Sequence, residues 1–407
     1  MPRILILASG PLCRNPRALK EAWALGDAGF EVTVAAIANI ERFEAYDREL
    51  LVGAPFRKIT LDRLSRGPVT RLQAFSDRSA AWLARRAIIY RIESAASLGP
   101  FRPFLRLALD IPADLTIVHA ELPFCVGAEL IAQGRRVAAD FEDWHSRDLL
   151  PASQASRPLR LLERTERLLM QRAVYASAPS GAMATALQAA YGSRLPIVIP
   201  NTFPLQPAPP PLPRQSPPGF FWFSQTIGEG RGLEAFIAAW VLMKAPSRLC
   251  LLGDISDSYR DTLVDLVPQQ RRPGLEFLAL TSPEALPGEI AAHDIGLALE
   301  PDAPESRYLT TTNKIFQYLN AGLAVVATPT AGQREVMSEI PGCGIVVDMK
   351  DPGVLAGQLD GLLGHPGRLA SMGAAAREGA AARYCWERTA PRLVAAVNGA
   401  VRAQPHP

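Results

Sequence analysis

The sequence predicts an α/β protein of two Rossmann-like halves, each built on a parallel sheet. Three observations carry this. The chain has 407 residues, too many for one ordinary core. Each half opens with a short apolar run, a glycine-bearing turn and a helical run. Between them, from Pro200 to Pro218, stand nine prolines. Such a stretch forms neither a helix nor an inner strand and reads as a stiff linker. The expected division is 1–200, a linker 201–218, a second domain 219–382, and a final helical segment 383–407.

In the first half, Arg3–Ala8 reads as a buried strand, Asn15–Ala28 as a helix and Glu31–Ile37 as the next strand. Gly29 stands where a helix ends on a left-handed residue. This β-α-β unit implies parallel pairing. Leu115–His119, Arg136–Asp140 and Ile197–Ile199 read as further strands, and Ser156–Ser177 as one helical stretch. In the second half, strands are expected at Gly219–Ser224, Leu249–Gly253, Ile295–Leu299, Ala324–Ala327 and Ile345–Val347. Helices are expected at Leu233–Met243 and through the alanine-rich region from Pro352 to Val401. Open parallel sheets bind ligands beyond the carboxyl ends of their strands, so the active site is expected in a cleft between the two halves.

Composition narrows the function classes. The net charge of +3 is too small to argue for nucleic acid. No apolar run is long enough to span a bilayer, and the opening Ile4–Ala8 is too short for a secretory signal. Cys13, Cys125, Cys250, Cys343 and Cys385 are odd in number and scattered, as in a reducing compartment. The five histidines show no zinc spacing, so no metal is expected. The reading is a cytoplasmic protein.

The most informative segment is Thr312–Ala327, a helix leading through Gly322 into a buried strand. Thr312 or Asn313 can cap the helix, and its free N–H groups with Lys314 suit a diphosphate. Gln317 lies one turn beyond Asn313 on the same face and can reach a ribose or sugar hydroxyl. Gly228-Glu229-Gly230-Arg231-Gly232 allows close approach to a phosphate, and Arg231 brings a forked donor. It is only in part a dinucleotide fingerprint, because Leu233 takes the third glycine position.

The segment Thr312–Ala327 resembles the donor-site helix of family 4 retaining glycosyltransferases, which have the GT-B fold. Other pieces follow in that family's order. Asn15–Ala22 through Gly29–Val34 resembles the opening helix and strand, and Asp140–His145 the acidic/histidine turn. Pro179-Ser180 sits near the family's serine, and Ile199–Asn201 resembles the end of the first domain. Ser224–Ala235 resembles the glycine turn, and Trp386-Glu387 the returning helix. The resemblance implies transfer of a sugar from a nucleotide-sugar donor to a glycan or lipid-linked acceptor, as in polysaccharide synthesis, with retained configuration and no cofactor. It implies that Arg231 and Lys314 stabilise the leaving diphosphate without a metal, with Asn313, Thr312, Gln317 and Gly228 completing the donor site.

From the first half, the resemblance places His119 against the transferred sugar; the alternative is a satisfied histidine at a strand end. Asp140, Glu142 and His145 either hold or activate an acceptor hydroxyl or pair locally. Arg17 either meets an anionic acceptor or donor phosphate or is an ordinary helix-start arginine. Many family members carry two glutamates eight residues apart on the donor loop and helix; here Leu309 and Gln317 stand there, with Glu300 or Glu305 as candidate substitutes. Alternatives to a transferase are a sugar-nucleotide epimerase or hydrolase, a non-catalytic binding partner and a nicotinamide oxidoreductase.

One region exceeds a minimal Rossmann half. Between Arg57 and Arg106, basic and large apolar residues interleave at helical spacing, with few acids. Either it contacts anionic lipid or a lipid-diphosphate acceptor, which puts the protein peripherally on the inner face of the membrane, or it is a solvated helix pair packed on its own domain.

Overall fold

The computed structural model describes residues 1–64, 67–150, 154–207 and 217–402. Most of the expected linker, 208–216, lies outside these residues. The chain divides into two compact units: Met1–Ile199 with Pro304–Ser306 and Ala390–Pro407, and Pro200–Ala303 with Arg307–Thr389.

The first unit holds seven parallel strands: β1 (Arg3–Leu7), β2 (Glu31–Ala38), β3 (Phe56–Asp62), β4 (Leu115–His119), β5 (Val137–Asp140), β6 (Ala176–Ala178) and β7 (Ile197–Val198). Their order is β3-β2-β1-β4-β5-β6-β7. Ile4, Leu5, Ile6 and Leu7 are all buried, as a strand covered on both faces requires. The helix Pro16–Asp27 starts at Asn15, whose side chain accepts from Ala18 N (3.0 Å). Gly29 follows it with φ 87°, in the left-handed region.

Two expectations need correction here. The stretch Ser156–Ser177 is not one helix. The helix is Leu159–Arg172, and Val174 N then donates to Val137 O (2.8 Å), which draws the chain into β6 beside β5. The basic segment from Arg57 is not all helical: its start forms β3, paired in register with β2 from Phe56 to Asp62. Helices Pro68–Ala87 and Phe101–Asp110 follow.

The second unit holds β8 (Gly219–Ile227), β9 (Arg248–Ile255), β10 (Leu275–Leu278), β11 (Ile295–Ala298), β12 (Ala324–Ala327) and β13 (Gly344–Val346). Their order is β10-β9-β8-β11-β12-β13, again parallel throughout. Alternation along β8 sends Phe220 and Trp222 into the core under helix Leu233–Trp240. Phe221 enters the opposite core, against Ile315, Tyr318 and Val325. Each sheet therefore buries both faces. Each also reverses its strand order once, between β1 and β4 and between β8 and β11, where doubly wound sheets bind ligands.

The alanine-rich end forms three helices, Pro352–Leu363, Pro366–Ala382 and Trp386–Arg402. Among the described residues, no helix is long and apolar enough to cross a membrane.

Candidate functional site

In the second unit, the chain leaves β8 at Ile227 and turns through Gly228–Gly232 into the helix Leu233–Trp240. Gly230 and Gly232 have φ 72° and 75°, a conformation that side chains other than glycine adopt at a cost. A Cβ on Gly232 would lie 2.7 Å from Met349 Cε, so the turn lies directly against Met349. Met349 lines a pocket with Glu300, Asp302, Thr328 and Lys350, at the carboxyl ends of β11, β12 and β13. Arg231 is half-buried in the turn.

Glu300 follows β11 and is 3% exposed. Its backbone N–H donates to Thr328 Oγ1 (2.9 Å), and that hydroxyl donates to Glu300 O (2.7 Å). One threonine thus ties the ends of β11 and β12 together. Gln333 Nε2 also donates to Thr328 Oγ1 (2.8 Å), which completes its hydrogen bonding.

Lys314 is the second residue of the helix Asn313–Ala321. It is buried, and its Nζ lies 3.0 Å from Glu300 Oε1 and 5.3 Å from the Trp222 ring centroid. A long cationic side chain is thereby held at the helix N-terminus by one carboxylate and one aromatic face. Thr312 is extended at the N-cap (φ −76°, ψ 152°), but its hydroxyl makes no cap bond. Thr312 Oγ1 at the N-cap and Gln317 Oε1, five residues further along, are both buried without a hydrogen-bond partner. Buried polar atoms are normally paired, so each of these two oxygens has hydrogen-bonding capacity left over.

The first unit holds a buried ionic cluster at the carboxyl ends of β4 and β5. Asp140, the last residue of β5, accepts from Arg17 Nε and from Arg17 Nη2 (2.6 Å). It also accepts from Ser177 Oγ (2.6 Å), while Arg17 Nη1 donates to Ile199 O (2.8 Å). His119, the last residue of β4, lies between two carboxylates: Nδ1 is 3.1 Å from Asp140 Oδ2 and Nε2 is 3.1 Å from Glu21 Oε2. Arg17, Glu21, His119 and Asp140 are each 1% exposed.

Burial alone would lower the His119 pKa, but Glu21 and Asp140 outweigh it and raise it to about 10. Burial would raise Asp140, but Arg17 and His119 hold it well below the usual carboxylate range. The Arg17 guanidinium and the His119 imidazolium thus both face the Asp140 carboxylate. Glu21, His119 and Asp140 stand close enough to share an ion, and here the Arg17 guanidinium and the His119 imidazolium supply the positive charge.

Beyond β5, burial pushes Glu142 up from the ordinary carboxylate range, and burial together with Arg17 brings Lys20 down to about 7. His145 is lowered to about 4 by burial, so its ring is neutral at pH 7. Its edge packs on Phe124, with centroids 5.1 Å apart. The buried Glu166 fixes this loop: it accepts from Ser146 N (2.9 Å), Ser146 Oγ (2.5 Å) and Tyr191 OH (2.7 Å). Trp144 Nε1 donates to the same Tyr191 OH (2.9 Å).

No protein-family model and no curated protein matches the chain. Solved structures do match over nearly its whole length. Sucrose-phosphate synthase from Thermosynechococcus elongatus superposes with a TM-score of 0.70 at 17% identity, covering 98% of this chain and 99% of that one. HepE of Anabaena, in complex with UDP-glucose, gives 0.65 at 17% identity, covering 98% and 100%. A UDP-N-acetylglucosamine 2-epimerase assigned in Listeria monocytogenes gives 0.57 at 11% identity, covering 100% and 98%. The fold is GT-B.

Within this GT-B chain, the residues expected to hold the donor all belong to the second unit. Gly228 and Arg231 lie in the turn after β8, and Thr312, Asn313, Lys314 and Gln317 at the start of one helix. Glu300 is the partner of Lys314. Sequence reasoning left Glu300 and Glu305 as alternatives. Glu305 counts instead with the first unit, where it pairs with Arg147 (2.8 Å). Leu309, at the position of the absent glutamate, is 9% exposed.

Of the first-unit alternatives, local pairing is the one that describes Arg17, His119 and Asp140. Arg17 is not open to an anionic acceptor, because its three guanidinium nitrogens are committed to Asp140 and Ile199 O. His119 does not project into open space: both of its ring nitrogens face carboxylates. Asp140 is likewise committed to Arg17, His119 and Ser177. Glu142 and His145 remain half-buried on the turn after β5. Glu21, the fourth member of the cluster, was missed; its only signal is the four-residue step from Arg17 along one helix face.

Proposed function

We propose that this protein is a retaining glycosyltransferase that moves a sugar from a nucleotide-sugar donor to a glycan or lipid-linked acceptor, with the donor held by the second unit. The observation that carries this reading is Lys314, buried at a helix N-terminus 3.0 Å from Glu300 and 5.3 Å from the ring centroid of Trp222 on β8, one of the two strands between which the strand order reverses. A nucleotide sugar suits this place. Its diphosphate accepts from the free N–H groups of Asn313–Ala321, from Lys314 and from Arg231. Thr312 and Gln317, whose oxygens lack partners, meet its hydroxyls.

The chemistry follows from where charge builds. As the glycosidic bond to the diphosphate breaks, negative charge grows on the leaving oxygen. Lys314 and Arg231, already in place, stabilise that charge without reorganisation. Retention rests on the resemblance of Thr312–Ala327 to family 4 transferases, in which a leaving phosphate oxygen can take the acceptor proton. Glu142 and His145 are the first-unit groups we assign to the acceptor. His145 is neutral at pH 7 and can accept a hydrogen bond from a hydroxyl. The buried cluster of Arg17, Glu21, His119 and Asp140 acts as a positioning element that fixes the ends of β4 and β5.

The test is a thermal-shift panel of nucleotide sugars on the wild type, Arg231→Ala and Lys314→Ala. One donor raises the wild-type melting temperature, and each substitution removes most of that rise. A shift that survives both substitutions overturns the phosphate assignment. Gln317→Glu changes donor affinity if Gln317 faces the ribose. A second reading, a sugar-nucleotide epimerase of the same fold, is favoured by the Listeria neighbour. Turnover of the donor with no acceptor present separates it from a transferase.

A further inference from the structure

The helix Pro68–Ala87 has its amphipathic sense reversed. Ala74 is its one buried residue, while Leu72, Phe75, Trp82 and Leu83 are 69%, 62%, 53% and 61% exposed. Their spacing puts all four on one side of the helix. Just past the helix end, Ile89 and Tyr90 are 77% and 78% exposed. Isolated exposed apolar residues need no explanation, but a contiguous ridge of large ones does.

Charge says what covers the ridge. Residues 67–92 contain five arginines and one acid, Asp77. Asp77 is already paired with Arg63 (2.5 Å). Arg71, Arg78 and Arg85 recur every seven residues and so form a stripe along one side of the apolar face. Arg86 lies within that face, with its guanidinium 4.2 Å from the Trp82 ring centroid. Arginine with tryptophan suits the boundary between lipid headgroups and acyl chains, where apolar bodies bury and charged heads meet phosphate. A second copy docked on this face would bring like charges together.

We propose that this face docks the protein on an anionic membrane surface, with the helix lying in the plane of the interface. Leu72, Phe75, Trp82 and Leu83 enter the headgroup region, and Arg78 and Arg86 contact lipid phosphates, while Arg85 Nε donates to Ser97 O (2.9 Å) at the border of the face. This goes beyond the nucleotide-sugar reading and does not depend on it. The two fail separately, since docking is read without donor.

The test is flotation of the full-length protein with vesicles of phosphatidylcholine alone and of phosphatidylcholine mixed with phosphatidylglycerol. The protein floats with the mixed vesicles, and added salt releases it. Each of Arg78→Gln and Arg86→Gln lowers partitioning about fivefold. Phe75→Ser with Leu83→Ser abolishes it, with melting temperature and donor shift unchanged. Equal binding to both vesicle types overturns the proposal, as does wild-type binding by the serine variant. Concentration-dependent dimers dissolved by the same serine substitutions, with no flotation, assign the face to a second copy and also overturn it.

Discussion

Arg17 and His119 come from different elements and neutralise the same carboxylates. Each is held where water cannot reach, so removing one leaves an uncompensated buried charge. Arg17→Leu is expected to destabilise the first unit by about 3–5 kcal/mol, measured by urea unfolding. His119 adds a pH signature. Its pKa is raised in the folded protein from the ordinary 6.5 to about 10, so its contribution is complete below pH 6.5 and is lost as pH rises toward 10. Asp140 is shifted the other way; its contribution is present above its ordinary 3.8 and is lost as pH falls below it. The cluster therefore stabilises most between pH 3.8 and 6.5. His119→Gln flattens the alkaline limb of the stability–pH curve while leaving Asp140 and its acid limb. An unchanged alkaline limb contradicts the imidazolium assignment. Three of these four residues are legible in the sequence as chemistry-bearing groups, but their mutual engagement is not. Motifs mark which side chains can act, and only packing shows that Arg17, His119 and Asp140 are occupied with one another.

At the scale of elements, the position of the donor helix depends on how closely Asn313–Ala321 approaches β11. Gly296 makes this approach possible: a Cβ there would lie 2.2 Å from Tyr318 Cγ. Tyr318 is fully buried and its hydroxyl donates to Leu297 O (3.3 Å), so the ring has little room to yield. Gly296→Ala is expected to cost about 1–3 kcal/mol and to weaken donor binding, because the displaced helix carries Lys314 away from Glu300. Gly288, in the helix Leu286–Ala291, has nothing within 4 Å of its Cβ position. Gly288→Ala is the control and is expected to be neutral or stabilising by up to about 1 kcal/mol. Equal melting temperatures and donor affinities for the two variants refute this account. Elements with continuous apolar runs are readable directly: β4 and β12 have the bounds expected of them. The strands without a sequence signature are β3, β6 and β10. β3 and β10 are sheet edges bearing Arg57, Lys58 and Glu276, so they lack a two-faced apolar run. β6 is three residues long and follows a helix whose periodicity runs up to it.

For the whole molecule, two units with separate cores imply that a ligand of one need not protect the other. The two-unit plan was legible because each half restarts with the same strand–turn–helix grammar on either side of the prolines. The return of the chain's last helix was legible only through the family resemblance of Trp386-Glu387, and nothing in the sequence marks Pro304–Ser306 as grouping with the first unit. A donor bound at Lys314 and Arg231 stabilises the second unit by RT ln(1 + [L]/Kd), about 2.7 kcal/mol at a hundredfold excess over Kd. Amides that exchange only through unfolding of that unit then slow by about a hundredfold. Hydrogen exchange reads this strand by strand. Saturating donor slows β8, β11 and β12 and leaves β1, β4 and β5 near their ligand-free rates. Protection concentrated in β4 and β5 would instead move the donor to the buried cluster of the first unit. Lys314→Ala distinguishes these outcomes, since it removes protection of β11 and β12 in the first case and leaves the pattern intact in the second.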